Sequence, residues 1–216
     1  MCANYHPVTA GDRLLQFFGV DRPANVAPPE MAFPLSIAPF IVRAQDRIEM
    51  ERELHIGQFG LLPFWAKEVA FGRKTYNARS ETAHEKPSFT ESWAKGRRCI
   101  VPAEAIFEPN WETGKAVRWR ISRRDGKPMG IAGLWGIWRD KSSGKEMLSF
   151  AMLTINADDH ALMKRFHKPG DEKRMVVILD EAEYDAWLDC PLERMKDFMR
   201  PYPAERLEAE PAPLRR

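Results

Sequence analysis

Apolar runs of strand length, several alternating with polar positions, recur at 35–42, 53–59, 99–107, 117–123, 129–138, 148–155 and 175–179. With turn-forming residues between them they predict a β-rich chain. Helical spacing is rarer. Residues 87–95 open on a proline, pair Phe89 with Trp93 at i,i+4 and stop at Gly96, which predicts a short capped helix. A second helix is expected after Asp158. A third should begin at Asp180, with Glu183 completing a capping box and Tyr184, Trp187 and Leu188 on one face. Pro191 interrupts it, and Leu192, Met195, Phe198 and Met199 then recur at helical spacing. Four further prolines predict that residues 201–216 form an extended or disordered tail behind one domain over 2–200.

Composition narrows the picture. The chain has 216 residues, 44% of them hydrophobic, and 33 basic against 31 acidic side chains give a net charge of +2. Wholesale disorder is excluded, and no apolar run approaches the roughly 18 residues of a membrane helix. The opening residues lack a basic stretch followed by an apolar one, so a cytoplasmic, reducing location is expected. Basic residues cluster at 95–98 and 118–124; the latter alternate with apolar ones, as on the solvated face of a strand, and permit a nucleic-acid partner without demanding one. The chain is expected to be monomeric.

Several chemistries lack their residues. Three cysteines, Cys2, Cys99 and Cys190, contain no CxxC pair, which argues against a disulfide framework or a cysteine zinc site. Cys99 and Cys190 read as packing residues. Ser88 breaks the zinc-protease spacing after His84-Glu85, Gly144-Lys145 belongs to no phosphate loop, and Gly130, Gly133 and Gly136 do not form a dinucleotide fingerprint. The five histidines form no ligand cluster. No metal and no cofactor are expected.

Cys2 is chemically distinctive. Loss of Met1 would place a free α-amine and a thiol on one residue. Such an amine ionises near pH 8, about two units below lysine, so a useful fraction can attack an aldehyde at neutral pH. The thiol can then close a thiazolidine ring. By itself a cysteine at position 2 does not establish this chemistry.

Ordered motifs add to it: Phe59-Gly60-Leu61-Leu62-Pro63-Phe64-Trp65-Ala66, Asn77-Ala78-Arg79-Ser80-Glu81-Thr82, Gly96-Arg97-Arg98-Cys99-Ile100-Val101-Pro102-Ala103, Phe107-Glu108, and His167 ahead of Arg174-Met175-Val176-Val177-Ile178-Leu179. Together with Cys2 these resemble the SRAP family, abasic-site processing proteins that crosslink to single-stranded DNA. The resemblance spans roughly residues 2–190 and implies an α+β fold, an open, barrel-like mixed sheet with peripheral helices. It also implies that Cys2 attacks the ring-opened sugar of an abasic site in single-stranded DNA, forming a thiazolidine crosslink. Asn77 would hold Cys2 or the sugar, Glu108 would act as acid and base, and His167 would shuttle a proton. Crosslink reversal, lyase-type cleavage and removal of Met1 by the protein itself belong to the same expectation. His167 rather than His160 matches the family histidine, although the turn from 168 to 173 is longer than the commonest pattern. Arg79 and Arg98 would contact the DNA backbone, with Trp65 and Phe59 as an apolar wall or wedge.

The chain departs from the family in places. Ala3-Asn4 replaces the usual Gly-Arg, Phe59 stands for a tryptophan, and Pro109 follows the glutamate. Two other classes use overlapping residues. One is an N-terminal-cysteine amidohydrolase or peptidase; the other is a noncatalytic single-strand-binding module.

Overall fold

In a computed structural model that describes residues 2–22, 29–44 and 51–214, the chain forms an 11-stranded mixed sheet with a few short helices around it. Met1 and the last two residues of the tail lie outside the described residues. The strands are β1 (Tyr5–Pro7), β2 (Ile37–Arg43), β3 (Arg52–Phe59), β4 (Asn77–Arg79), β5 (Arg98–Asn110), β6 (Val117–Arg123), β7 (Met129–Arg139), β8 (Glu146–Asn156), β9 (Arg174–Val176), β10 (Ile178–Leu179) and β11 (Leu207–Pro211). The helices are α1 (Gly11–Phe18), α2 (Thr90–Ala94) and α3 (Tyr184–Asp189), supplemented by single 3₁₀ segments. The expected α+β class and mixed sheet are present.

Strand order explains the barrel shape. The path runs β10-β7-β8-β3-β2-β5-β6-β11, and β5 pairs with β7 as well, which closes β7-β8-β3-β2-β5 into a ring. β5 makes this possible because it is long: residues 98–103 pair with β7 and residues 106–110 with β6. Inside the ring lie Phe40, Phe59, Ile100, Leu134 and Phe150, all shielded from solvent. Phe150 stacks on Phe59 at 5.6 Å and meets Phe40 at 5.2 Å, so aromatic packing fills the centre.

Helical segments are where expectation and structure part. The capping box of Asp180 and Glu183 is present, but a 3₁₀ turn over Glu181–Glu183 precedes α3. Residues 192–198 form a 3₁₀ helix that buries Met195 and Phe198. The helix expected after Asp158 is one 3₁₀ turn, Met163–Arg165, before which the imidazole of His160 accepts the backbone N–H of Met163 at 2.9 Å. α1 was not predicted, since only Leu14 and Phe18 mark its buried face; Gly19, at φ 68, closes it. The proline-rich end is extended and paired: β11 lies antiparallel to β6, Pro211 opposite Trp119.

Gly60, in the Phe-Gly-Leu motif, has φ 126, and a β-carbon there would sit 2.3 Å from the carbonyl oxygen of Gly72. Both the dihedral and the contact forbid a side chain. Gly60→Ala is therefore expected to cost about 1–3 kcal/mol of stability, read as a lower urea midpoint with an unchanged m-value.

Candidate active site

Three chain segments meet at one end of β5. The N-terminal segment runs antiparallel to it, Tyr5 opposite Ile106, and the N–H of Phe107 donates to Asn4 O at 2.9 Å. That register carries Cys2 to the neighbourhood of Glu108, where it is 1% exposed. β4, held parallel to β8, aims Asn77 from the side, and its Nδ2 donates to Cys2 O at 2.8 Å. His167 follows the Met163–Arg165 turn; its N–H donates to Pro109 O at 2.9 Å, and its Nε2 lies 3.3 Å from Glu108 Oε2. Cys2, Asn77, Glu108 and His167, distant in sequence, thus occupy one buried cluster.

The imidazole is held at a conformational cost. His167 adopts φ 65, a left-handed conformation that disfavours any side chain. Lys173 Nζ stabilises it by donating to the carbonyls of His167 at 3.3 Å and Lys168 at 2.9 Å. The long turn before β9 thereby supplies its own clamp. Nδ1 and Nε2 of His167 are both buried without a hydrogen-bond partner.

Burial pushes the Cys2 thiol up to about 12, and the Glu108 carboxylate adds to the rise. The resting sulfur is a protonated thiol, and its S–H points at Asn4 O, 3.5 Å away. Against an ordinary thiol at 9.0, three units mean about a thousandfold less thiolate at neutral pH. Cys2 alkylation by iodoacetamide, followed by peptide mass mapping, should be slower than in a free peptide by on the order of that factor. Because the shift is upward, its rate should climb about tenfold per pH unit with no plateau below the unfolding range.

His160 is occupied otherwise. Its Nδ1 accepts from the backbone N–H of Met163, so Nε2 carries the proton and donates to Tyr202 O at 2.8 Å. It ties the turn to the C-terminal segment.

The four residues expected at DNA divide. Trp65 is 39% exposed beside the more exposed Phe64, its ring edge-on to Phe71. Arg79 extends from β4 with half its side chain in solvent and pairs with Glu172 at 2.7 Å. Phe59 requires correction: it is completely buried, in edge contact with Tyr5 and Tyr76, so it supports the site from below and cannot stack on a base. Arg98 also lies elsewhere. It sits at the opposite end of β5 from Glu108, roughly 30 Å along an extended strand, and its Nε and Nη2 donate to Leu188 O, capping α3. Two neighbours of the cluster escaped sequence reasoning. Tyr76 lies close enough for the Cys2 and Glu108 charges to add to the rise in its hydroxyl pKa, of which burial is the main cause. Arg118 grips Asn4, whereas its alternation with Trp119 pointed to a strand face that permits a nucleic-acid partner, not to this contact.

Among the described residues no group of three or more His, Cys, Asp or Glu side chains is arranged to hold a metal ion. No described helix is long and apolar enough to cross a membrane.

This barrel, with a cysteine at position 2 buried against Asn, Glu and His, defines a known class. The chain belongs to the SOS response associated peptidase (SRAP) family, whose model matches residues 1–214. It is 30% identical over 156 residues to the abasic site processing protein YoqW of Bacillus subtilis, covering 70% of this chain and 66% of that one. It is 27% identical over 177 residues to abasic site processing protein HMCES of Xenopus tropicalis, covering 72% and 51%. The chain therefore spans between about half and two thirds of these relatives. A crystal structure of a Bordetella bronchiseptica protein superimposes with TM-score 0.90 at 42% identity, covering 99% of this chain and 100% of that one. One from Bacteroides thetaiotaomicron gives 0.81 at 25% identity, covering 96% and 90%.

Proposed function

We propose that this protein processes abasic sites in single-stranded DNA by forming a thiazolidine crosslink through Cys2 after Met1 is removed. The observation that carries the proposal is the enclosure of residue 2 by Asn77, Glu108 and His167. The α-amine of Cys2 attacks the aldehyde carbon of the opened sugar, giving a carbinolamine. Glu108 or His167 donates a proton to the departing hydroxyl, and water leaves as the imine forms. The thiol then adds to the same carbon: the S–C bond forms, the imine electrons return to nitrogen, and the thiol proton is carried there by Glu108. Aldehyde and aminothiol become thiazolidine and one water. Asn77 fixes the backbone from which both nucleophiles project.

Burial together with the Glu108 charge keeps the resting sulfur protonated. A protonated imine places a positive charge beside the sulfur only after the amine has reacted, so the thiolate is stabilised at the step that uses it. The aldehyde is accessible where a base is missing, so the lesion is recognised by reactivity, while phosphate contacts and stacking hold the strand without reading its sequence.

The test is incubation of Met1-processed protein with an oligonucleotide carrying one abasic site, then denaturing electrophoresis without borohydride and peptide mapping. An adduct on Cys2 supports the reading; its absence, with the lesion intact, sinks it. Arg79→Ala should weaken noncovalent binding and reduce the slope of log K against log salt by about 0.7, the share of one phosphate contact on a single strand.

A further inference from the structure

β6 lays the Arg118 side chain on the face of β5 that carries Phe107 and Pro109; Glu108, one residue along, pairs with Trp119 and points to the other face. The guanidinium lies flat on the Phe107 ring, 3.4 Å from its centroid. Nε and Nη2 donate to Asn4 Oδ1 at 3.0 and 2.6 Å, and Nη1 donates to Ala212 O at 2.8 Å. An arginine has five N–H groups, so one on each terminal nitrogen remains unspent. Among the described residues no carboxylate pairs with Arg118, whereas the more buried Arg123 and Arg174 are each paired with acids. Burial lowers the Arg118 pKa, the direction expected of a cation kept without a counter-charge.

This cation walls a cleft of about 360 Å³ whose other sides include Ala3, Asn4, Phe107 and Ala116. Asn4 links it to the nucleophile: Asn4 O accepts both the N–H of Phe107 and the S–H of Cys2. The cleft therefore opens beside the segment carrying Cys2, roughly 7 Å of extended chain away.

We propose that Arg118 is an anion-binding residue that takes a backbone phosphodiester of the single-stranded DNA next to the reacting sugar. The inference rests on the crosslinking reading and names a subsite within it. Asn4 and Phe107 fix the plane of the guanidinium, so its two outward N–H groups meet two phosphate oxygens with little ordering left to do. Binding supplies the counter-charge that the fold omits. Phosphate capture at this distance sets the strand so that the sugar between phosphates faces the amine of Cys2.

The test uses the full chain. Anisotropy of an oligonucleotide carrying a tetrahydrofuran abasic analogue, which has no aldehyde, reports binding across a salt series, and a true abasic strand reports crosslinking rate against DNA concentration. Arg118→Gln removes the charge and retains a donor for Asn4; Arg118→Lys retains the charge. The expected result for Arg118→Gln is about tenfold weaker binding of the analogue and a salt slope smaller by about 0.7. Arg118→Lys should restore the slope. A wild-type slope in Arg118→Gln overturns the inference alone, as does a loss of saturating rate without loss of binding, which would make Arg118 a positioning residue for Cys2. Failure of the unaltered protein to bind the analogue or crosslink the abasic strand overturns the crosslinking reading and this inference with it.

Discussion

Replacement of Cys2 by alanine is expected to abolish the denaturant-resistant adduct while leaving the fold and noncovalent DNA binding in place. The physical reason is a division of labour on one residue. After loss of Met1 the alanine variant keeps an α-amine of similar basicity, so it still forms an imine with the abasic aldehyde. Without sulfur the imine cannot close a ring, and water returns it to aldehyde. Borohydride should therefore trap an adduct at residue 2 in Cys2→Ala, whereas omitting the reductant should leave none on a denaturing gel. Cys2→Ser should behave in the same way, because its hydroxyl is a far weaker nucleophile than a thiol. A Cys2→Ala adduct of unaltered yield and stability without reductant would point to a lysine and remove Cys2 from the chemistry. The pocket tolerates the change: Cys2 donates one long S–H bond to Asn4 O, and the Asn77 bond is to the Cys2 carbonyl, which alanine retains.

Glu108→Gln is expected to move two rates in opposite directions. Crosslinking should slow by about 10² to 10⁴-fold, the usual share of a positioned acid or base, because glutamine cannot take the thiol proton or deliver one to the leaving water. Alkylation of Cys2 should instead accelerate. The Glu108 charge helps to hold the thiol up near 12, so neutralising it should lower that value and raise the thiolate fraction. Burial, the larger cause, remains, so the thiol should stay well above its ordinary value. Crosslinking rates with abasic DNA and iodoacetamide rates on the free protein check the pair. Slowing of both would indicate a collapsed pocket, and an unchanged crosslinking rate would take Glu108 out of proton transfer. His167, 3.3 Å from this carboxylate, should retain its place through its backbone bond to Pro109 O, which does not depend on the substituted side chain.

The strands were legible because their information is local. Apolar runs such as 129–138 and 148–155 must bury a face, and pairing lets them do so; the observed β7 and β8 lie within two residues of those bounds at each end. Short segments were not legible. β1 and β4 have three residues each and exist because β5 and β8 offer them partners. α1 carries too few buried positions to show a period, and the helix expected after Asp158 is a single 3₁₀ turn.

The chemistry divides along the same line. Reactive groups are covalent facts, so the thiol and prospective amine of Cys2 could be read from the chain, whereas Asn77, Glu108 and His167 stood out only through the family resemblance. Their environment could not be read. Desolvation of the Cys2 sulfur, the left-handed backbone at His167 and the Lys173 clamp on its carbonyl arise from groups brought together across tens of residues. The same holds for surfaces. Phe59 lies in one motif with Trp65, and Arg98 in a basic motif of its own, but the closed ring buries the first, and β5 carries the second to the far end of the barrel. Residue type and spacing determine which atoms can react and which faces must be buried; dielectric, charge proximity and exposure are sums over neighbours, and only the closed barrel sets who those neighbours are.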